Sequence, residues 1–203
     1  MPEFKILGKY DTKDIQVKDP GLVRYINTAS PYLPHTGGRH TKKQFWKTEK
    51  VSIVERFINH IMRSGSGGRK IGGHVIRDGH ATGKKMKAIK IFEKAMDMVE
   101  KRTGKNPIQV LVTAIENCAP REETTRISYG GIVYHQSVDC APQRRVDIAL
   151  RNLTLGAFSA SYKNKRSIEE CLADEIIMAY NYDMKSFAVS RKEEIERIAR
   201  SSR

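Results

Sequence analysis

The stretch Ile127-Ser-Tyr-Gly-Gly-Ile-Val-Tyr-His-Gln-Ser137 sets two β-prone runs around a Gly-Gly pair. Such a pair between β-branched and aromatic residues marks a two-residue hairpin turn, whose centre needs positive φ. Counting outward pairs Tyr129 with Ile132, Ile127 with Tyr134, Thr125 with Gln136, and Arg126 with His135. One face collects Ile127, Tyr129, Ile132 and Tyr134. The other carries Arg126 and His135, with Thr124, Ser128 and Ser137 beside them. A lone ribbon is marginal in water, so its apolar face must meet the protein's own helices or a partner.

Around this ribbon, at 122–139, the periodicity is helical. Ser52 with Glu55 reads as a capping box before Phe57, Ile58, Ile61 and Met62. A second helix spans about Met86 to Thr103, with Ile89, Phe92, Met96 and Val99 inward and Gly104 as its stop. Asn106 and Pro107 open a third, striped by Ile108, Leu111, Val112 and Ile115 and closed by Pro120. Pro142 opens a fourth, buried through Val146, Ala149, Leu150 and Leu153. Ser167 with Glu170 caps a fifth, with Leu172, Ile176 and Ala179 inward. Ser190 with Glu193 starts a surface helix carrying Ile195, Ile198 and Ala199. The expected fold is mainly α: a bundle of about six helices, with one protruding β-ribbon between helices three and four. Residues 1–47 lack periodicity and are broken by Pro20, Pro31 and Pro34, so they read as an extended basic arm that only a partner orders. The helical domain then covers 48–203, with a glycine-rich insertion at 64–85.

Charge is concentrated. The 203-residue chain holds 37 Lys and Arg against 23 Asp and Glu, a net of +14. Residues 35–105 carry 18 bases and 6 acids, net +12, whereas 106–140 carry 2 and 4, net −2. Such localisation points to a polyanion surface, most often nucleic acid. No run reaches transmembrane length, and the start, MPEFKILGKYDTKD, lacks a signal-peptide apolar stretch. The three cysteines, Cys118, Cys140 and Cys171, form no CxxC pair and suit a reducing compartment.

Catalytic and metal signatures are missing. Gly79-His-Ala-Thr-Gly-Lys-Lys85 has three residues between its glycines where a phosphate loop has four, and Lys85 stands where a magnesium-binding hydroxyl belongs. The histidines lack metal-ligand spacing. No nucleophile–base arrangement stands out, so neither catalytic residues, metal nor cofactor is expected.

The basic residues fall in groups. Arg39, His40, Lys42, Lys43 and Lys47 interleave with Phe45 and Trp46, which either stack on bases or cap the core. Arg69 and Lys70 lie among glycines that let backbone approach phosphate. Lys84, Lys85 and Lys87 gather at the start of helix two. Arg144 and Arg145 sit at the start of helix four, where cations oppose the helix dipole and a phosphate partner would account for them. Lys163, Lys165 and Arg166 fill the next loop. Recurrence at loops and helix starts favours RNA. The rival reading is an architectural DNA-binding protein with a ribbon arm.

Six ordered segments carry a resemblance: SPYLPHTGGRHTKKQFWK, SIVERFINHIM, TGKNPIQVLVTAIENCAPREETTRI, QSVDCAPQRRVDIAL, SIEECLADEII and AVSRKEEIERIARSSR. In order they resemble the eukaryotic form of the small-subunit ribosomal protein family called S-seven in bacteria and S-five in eukaryotes, over roughly 30–203. The resemblance implies binding to the 3′ major domain of small-subunit rRNA and a part in assembling the head. It implies a ribbon (Arg126, Ser128, Tyr129, Gly130, Gly131, Tyr134, His135) beside exit-site tRNA and the mRNA exit path. It also implies neighbouring head and platform proteins and initiation factors as partners, no homo-oligomer, and a cytoplasmic ribosome reached through the nucleolus. Two departures stand out. Ser64–Lys85 is longer and richer in glycine than the family loop. Tyr134-His135 stand where relatives have arginines, so shape, stacking and polar contacts suit this ribbon better than tight phosphate binding.

Overall fold

The computed structural model describes residues 5–12, 14–28, 33, 51–65, 69–71, 74–76 and 83–203. Among these, α1 (Ile53–Arg63) is followed by a short hairpin of β1 (Arg69–Ile71) and β2 (His74–Ile76). Then come α2 (Lys85–Thr103), α3 (Pro107–Cys118), a ribbon of β3 (Glu122–Tyr129) and β4 (Ile132–Asp139), α4 (Pro142–Ser161), α5 (Ile168–Tyr180) and α6 (Phe187–Ser201). The fold is mainly helical, with the expected six helices and with the ribbon between α3 and α4. The β1–β2 hairpin is an addition to the sequence reading, which treats 64–85 as insertion only. Its signal is the same Gly-Gly pair, in Ile71-Gly-Gly-His74.

The centre of the bundle is α3. Ile108, Val110, Leu111, Val112, Ala114 and Ile115 are all fully buried, so this short helix is apolar nearly all round. It packs against α2, α4, α5 and α6. Asn106 caps it by accepting from the Ile108 N–H at 3.0 Å, with Pro107 in the first turn, as the sequence indicates. Ser167 likewise caps α5 by accepting from the Glu170 N–H. Phe57 of α1 and Phe92 of α2 meet with tilted rings, 5.6 Å between centroids. At Gly156, α4 comes so close to α5 and α6 that a Cβ would lie 2.8 Å from the Phe187 Cβ and 2.9 Å from the Glu175 Cδ.

Two expected capping boxes are replaced by tertiary contacts. The Ser52 hydroxyl makes no cap bond, and Glu55 is buried against Lys85, its carboxylate 2.8 Å from the ammonium. The last helix starts at Phe187, not after Ser190. Ser186 accepts from the Val189 N–H and donates to buried Glu175 at 2.7 Å, which also accepts from the Ala188 N–H. Its inward residues are Ala188, Val189 and Ala199, while Ile198 faces solvent.

The N-terminal segment also departs from expectation. Residues 5–12 and 14–28 form no helix or strand and turn at 7–9 and 20–25, yet they are strapped across the bundle. Ile6, Tyr10, Leu22 and Ile26 join the core. The Tyr10 hydroxyl donates to Asp97 at 2.6 Å. The Gln16 N–H donates to Gln109, whose amide donates back to the Gln16 carbonyl. Glu116 accepts from the N–H groups of Lys18 and Asp19. Asp19 pairs with Arg145 at 2.7 Å, and Arg56 donates to the Tyr25 carbonyl. Irregular backbone of this kind has no period to detect, and side chains of the helices satisfy its polar groups.

Candidate nucleic-acid interface

The ribbon follows the predicted register throughout, from Glu122↔Asp139 to Tyr129↔Ile132. Gly130 and Gly131 have φ of +56° and +81°, the conformation a tight primed turn demands. Its root is held, but its apolar face is not packed on the bundle. Tyr129 is 81% exposed, and Ile127, Ile132 and Tyr134 are exposed as well. Arg126, Ser128 and His135 are exposed on the opposite face.

At the foot of the ribbon lies a cleft of about 640 Å³ between the last turn of α1 and one face of α4. His60, Arg63 and Ser64 line one wall; Arg144, Asp147, Ile148, Arg151 and Leu155 line the other. Arg144 and Arg151 are seven residues apart, two helical turns, and so share a face. Among the described residues Asp147 is the only acid lining this cleft, and its charge is already engaged. Arg56 donates to it at 2.8 Å from beneath, and the His60 Nε2 lies 3.9 Å away. Burial alone would raise the Asp147 pKa, but the neighbouring His60 and the Arg56 charge outweigh it and hold the carboxyl below its usual range. The outward character is therefore cationic. On the other side of the ribbon root, a cleft of about 700 Å³ mixes Lys18, Arg121, Lys192 and Arg200 with Glu116, Glu122, Glu193 and Glu196, a poorer match to phosphate.

The sequence-predicted cations divide. Arg144 is exposed and pairs with Glu123 at 2.6 Å. Such a surface pair contributes about 0–1 kcal/mol, so phosphate can compete for it. Arg145 is buried, donating to Asp19 and to the Pro120 carbonyl. Lys85 is 3% exposed and locked to Glu55. Both are corrections: these cations hold the fold together and do not face solvent. Both arginines at the start of α4 have carboxylate partners within the chain, Glu123 for Arg144 and Asp19 for Arg145. Lys84, Lys87, Lys163, Lys165 and Arg166 are exposed. Lys163 lies over the Tyr162 ring, and Arg166 shares Asp174 with Arg102. Arg69 and Lys70 fall in β1, where the backbone pairing alone is described. Arg39, His40, Lys42, Lys43 and Lys47, with Phe45 and Trp46, lie outside the described residues.

Sequence reasoning missed Arg63 and Arg151. The seven-residue spacing from Arg144 was a usable signal for Arg151. Arg63, in the last turn of α1, reads equally well as a complement to the helix dipole. Among the described residues, no group of three His, Cys, Asp or Glu could hold a metal ion, and no helix is long and apolar enough to cross a membrane.

The family model described as ribosomal protein S7p/S5e matches residues 22–203. The chain belongs to this family. It is thus a structural protein of the small ribosomal subunit that binds rRNA and works in translation, and its family is typically non-enzymatic. That replaces the reading of an architectural DNA-binding protein. Most of the strap, residues 5–21, precedes the part of this S7p/S5e chain that the family model matches. Both the cationic cleft and the ribbon lie within it.

Proposed function

We propose that the α1–α4 cleft, with the lysines at 84, 87, 163 and 165 and Arg166, grips the 3′ major domain of small-subunit rRNA and helps assemble the head. The segments holding Arg39 to Lys47 and Arg69–Lys70 add to this grip, as a net of +12 over residues 35–105 favours. The ribbon then extends to exit-site tRNA and the mRNA exit path. Head and platform proteins and initiation factors are its neighbours, and a single copy acts per subunit, in the cytoplasm after passage through the nucleolus. The observation that carries the reading is the open face of the ribbon. Ile127, Tyr129, Ile132 and Tyr134 are 43%, 81%, 59% and 54% exposed, so the bundle does not cover them and a partner must.

The cleft is tested with a structured rRNA fragment. Removing one phosphate-neutralising cation flattens the slope of log affinity against log salt by roughly 0.7–0.9. Arg63→Ala with Arg151→Ala is expected to weaken binding and flatten that slope by about 1.5. Unchanged affinity and slope would remove the cleft from the interface.

The ribbon is tested by replacing residues 127–134 with a short turn. No cation and no core residue goes with it, so incorporation into small subunits is expected to stay largely intact. Initiation or reading-frame fidelity is expected to fall. Depleted subunits with normal fidelity in the survivors would sink the assignment.

A further inference from the structure

A ribbon of eight paired rows is about 25 Å long from the strand rise, so a root rotation of about 10° would carry the tip by about 4 Å. A two-stranded ribbon cannot fix its own angle to a bundle. Its root, however, is bonded on two sides. On one side, the first turn of α4 grips β3 through Arg144 and Glu123. On the other, α6 and the two residues after it take hold. The Arg121 N–H donates to the Glu196 carboxylate at 2.9 Å, the Arg203 guanidinium donates to Glu122, and the Ser137 N–H donates to the Ser202 carbonyl at 3.3 Å. Glu196 is 9% exposed, where a carboxylate aimed at a backbone N–H is held in place. These bonds reach both strands, and α6 packs along both.

We propose that Glu196, Ser202 and Arg203 are positioning residues, and that α6 sets the direction in which the ribbon points. Ribbon and α6 form one rigid unit. Removing the clamp lets the ribbon swing as an intact hairpin without unfolding the bundle. The purpose of the direction rests on the reading of the ribbon as a functional arm. The direction itself is measured on the free full-length chain, with no RNA present, so either idea can fail alone.

The test uses a pair of spin labels at Ser128→Cys near the tip and Lys90→Cys on exposed α2; the native cysteines, all three buried, label slowly. The distance distribution is expected to be narrow in the parent. In Glu196→Ala with Arg203→Ala it is expected to broaden about twofold, with the β3–β4 amides still protected from exchange. Glu196→Gln with Arg203→Lys keeps an acceptor and a donor and is expected to restore the narrow distribution. Arg203→Ala alone, at an exposed position, serves if the double variant folds poorly and is expected to broaden the distribution to a lesser degree. An unchanged width in the alanine variants overturns the proposal. So does broadening that comes with loss of ladder protection, because the contacts would then stabilise the ribbon without directing it.

Discussion

Glu55→Gln is expected to destabilise the protein by about 3–5 kcal/mol, well beyond what breaking any of its exposed ion pairs would cost. The substitution leaves the Lys85 ammonium 3% exposed in the core without its carboxylate. A buried pair contributes little over an apolar pair of similar size, because desolvation offsets most of the attraction; an isolated buried charge has no such offset. Adding Lys85→Met to Glu55→Gln is therefore expected to recover most of the loss. Urea denaturation of the parent, the single and the double variant checks this. A chain of this size shifts its melting point by roughly 2–4 °C per kcal/mol, so thermal unfolding resolves it too. A single variant as stable as the parent would mean that the pair contributes nothing. The pair also ties the first turn of α1 to the first turn of α2, across thirty residues of chain.

Leu22→Ala is expected to cost about 2–5 kcal/mol, the usual range for a buried leucine left as a cavity. Leu22 is fully buried, although it belongs to a segment without helix or strand. If residues 5–28 were an arm that only RNA orders, the substitution would leave the free protein unchanged. Limited proteolysis gives a second readout: in the parent this segment resists cleavage, and in the variant it is cut early. Equal stability and equal resistance would show that the strap does not hold in solution.

The helices were legible because their signals are local. Asn106-Pro107 and Ser167 announce their helices through bonds to N–H groups two or three residues away. The misplaced starts have a common cause. Ser52 and Glu55 match a capping box, but a lysine thirty residues away claims the carboxylate. Ser190 and Glu193 match one too, yet Ser186 is fixed as the cap by Glu175, a buried group on a different helix. The same limit applies at the interface. Charge counts located cations but could not say which were already paired. Arg144 and Arg145 are neighbours in sequence, and a step of about 100° around the helix sends one into the cationic cleft and the other into the strap.

The strap also orders events in time. Its partners on α3 lie more than ninety residues away, and Asp19 reaches Arg145 across 126 residues of chain. The strap residues precede all of these partners in the chain: Tyr10, Gln16 and Lys18 find theirs once α2 and α3 exist, and Asp19 finds Arg145 only once α4 does. Ile6, Leu22 and Ile26, buried in the finished fold, stay uncovered until those helices form. Their docking therefore proceeds stepwise, from α2 and α3 to α4. A nascent chain stalled before α3 therefore carries an apolar segment whose covering helices are still unmade, the kind of species that aggregates.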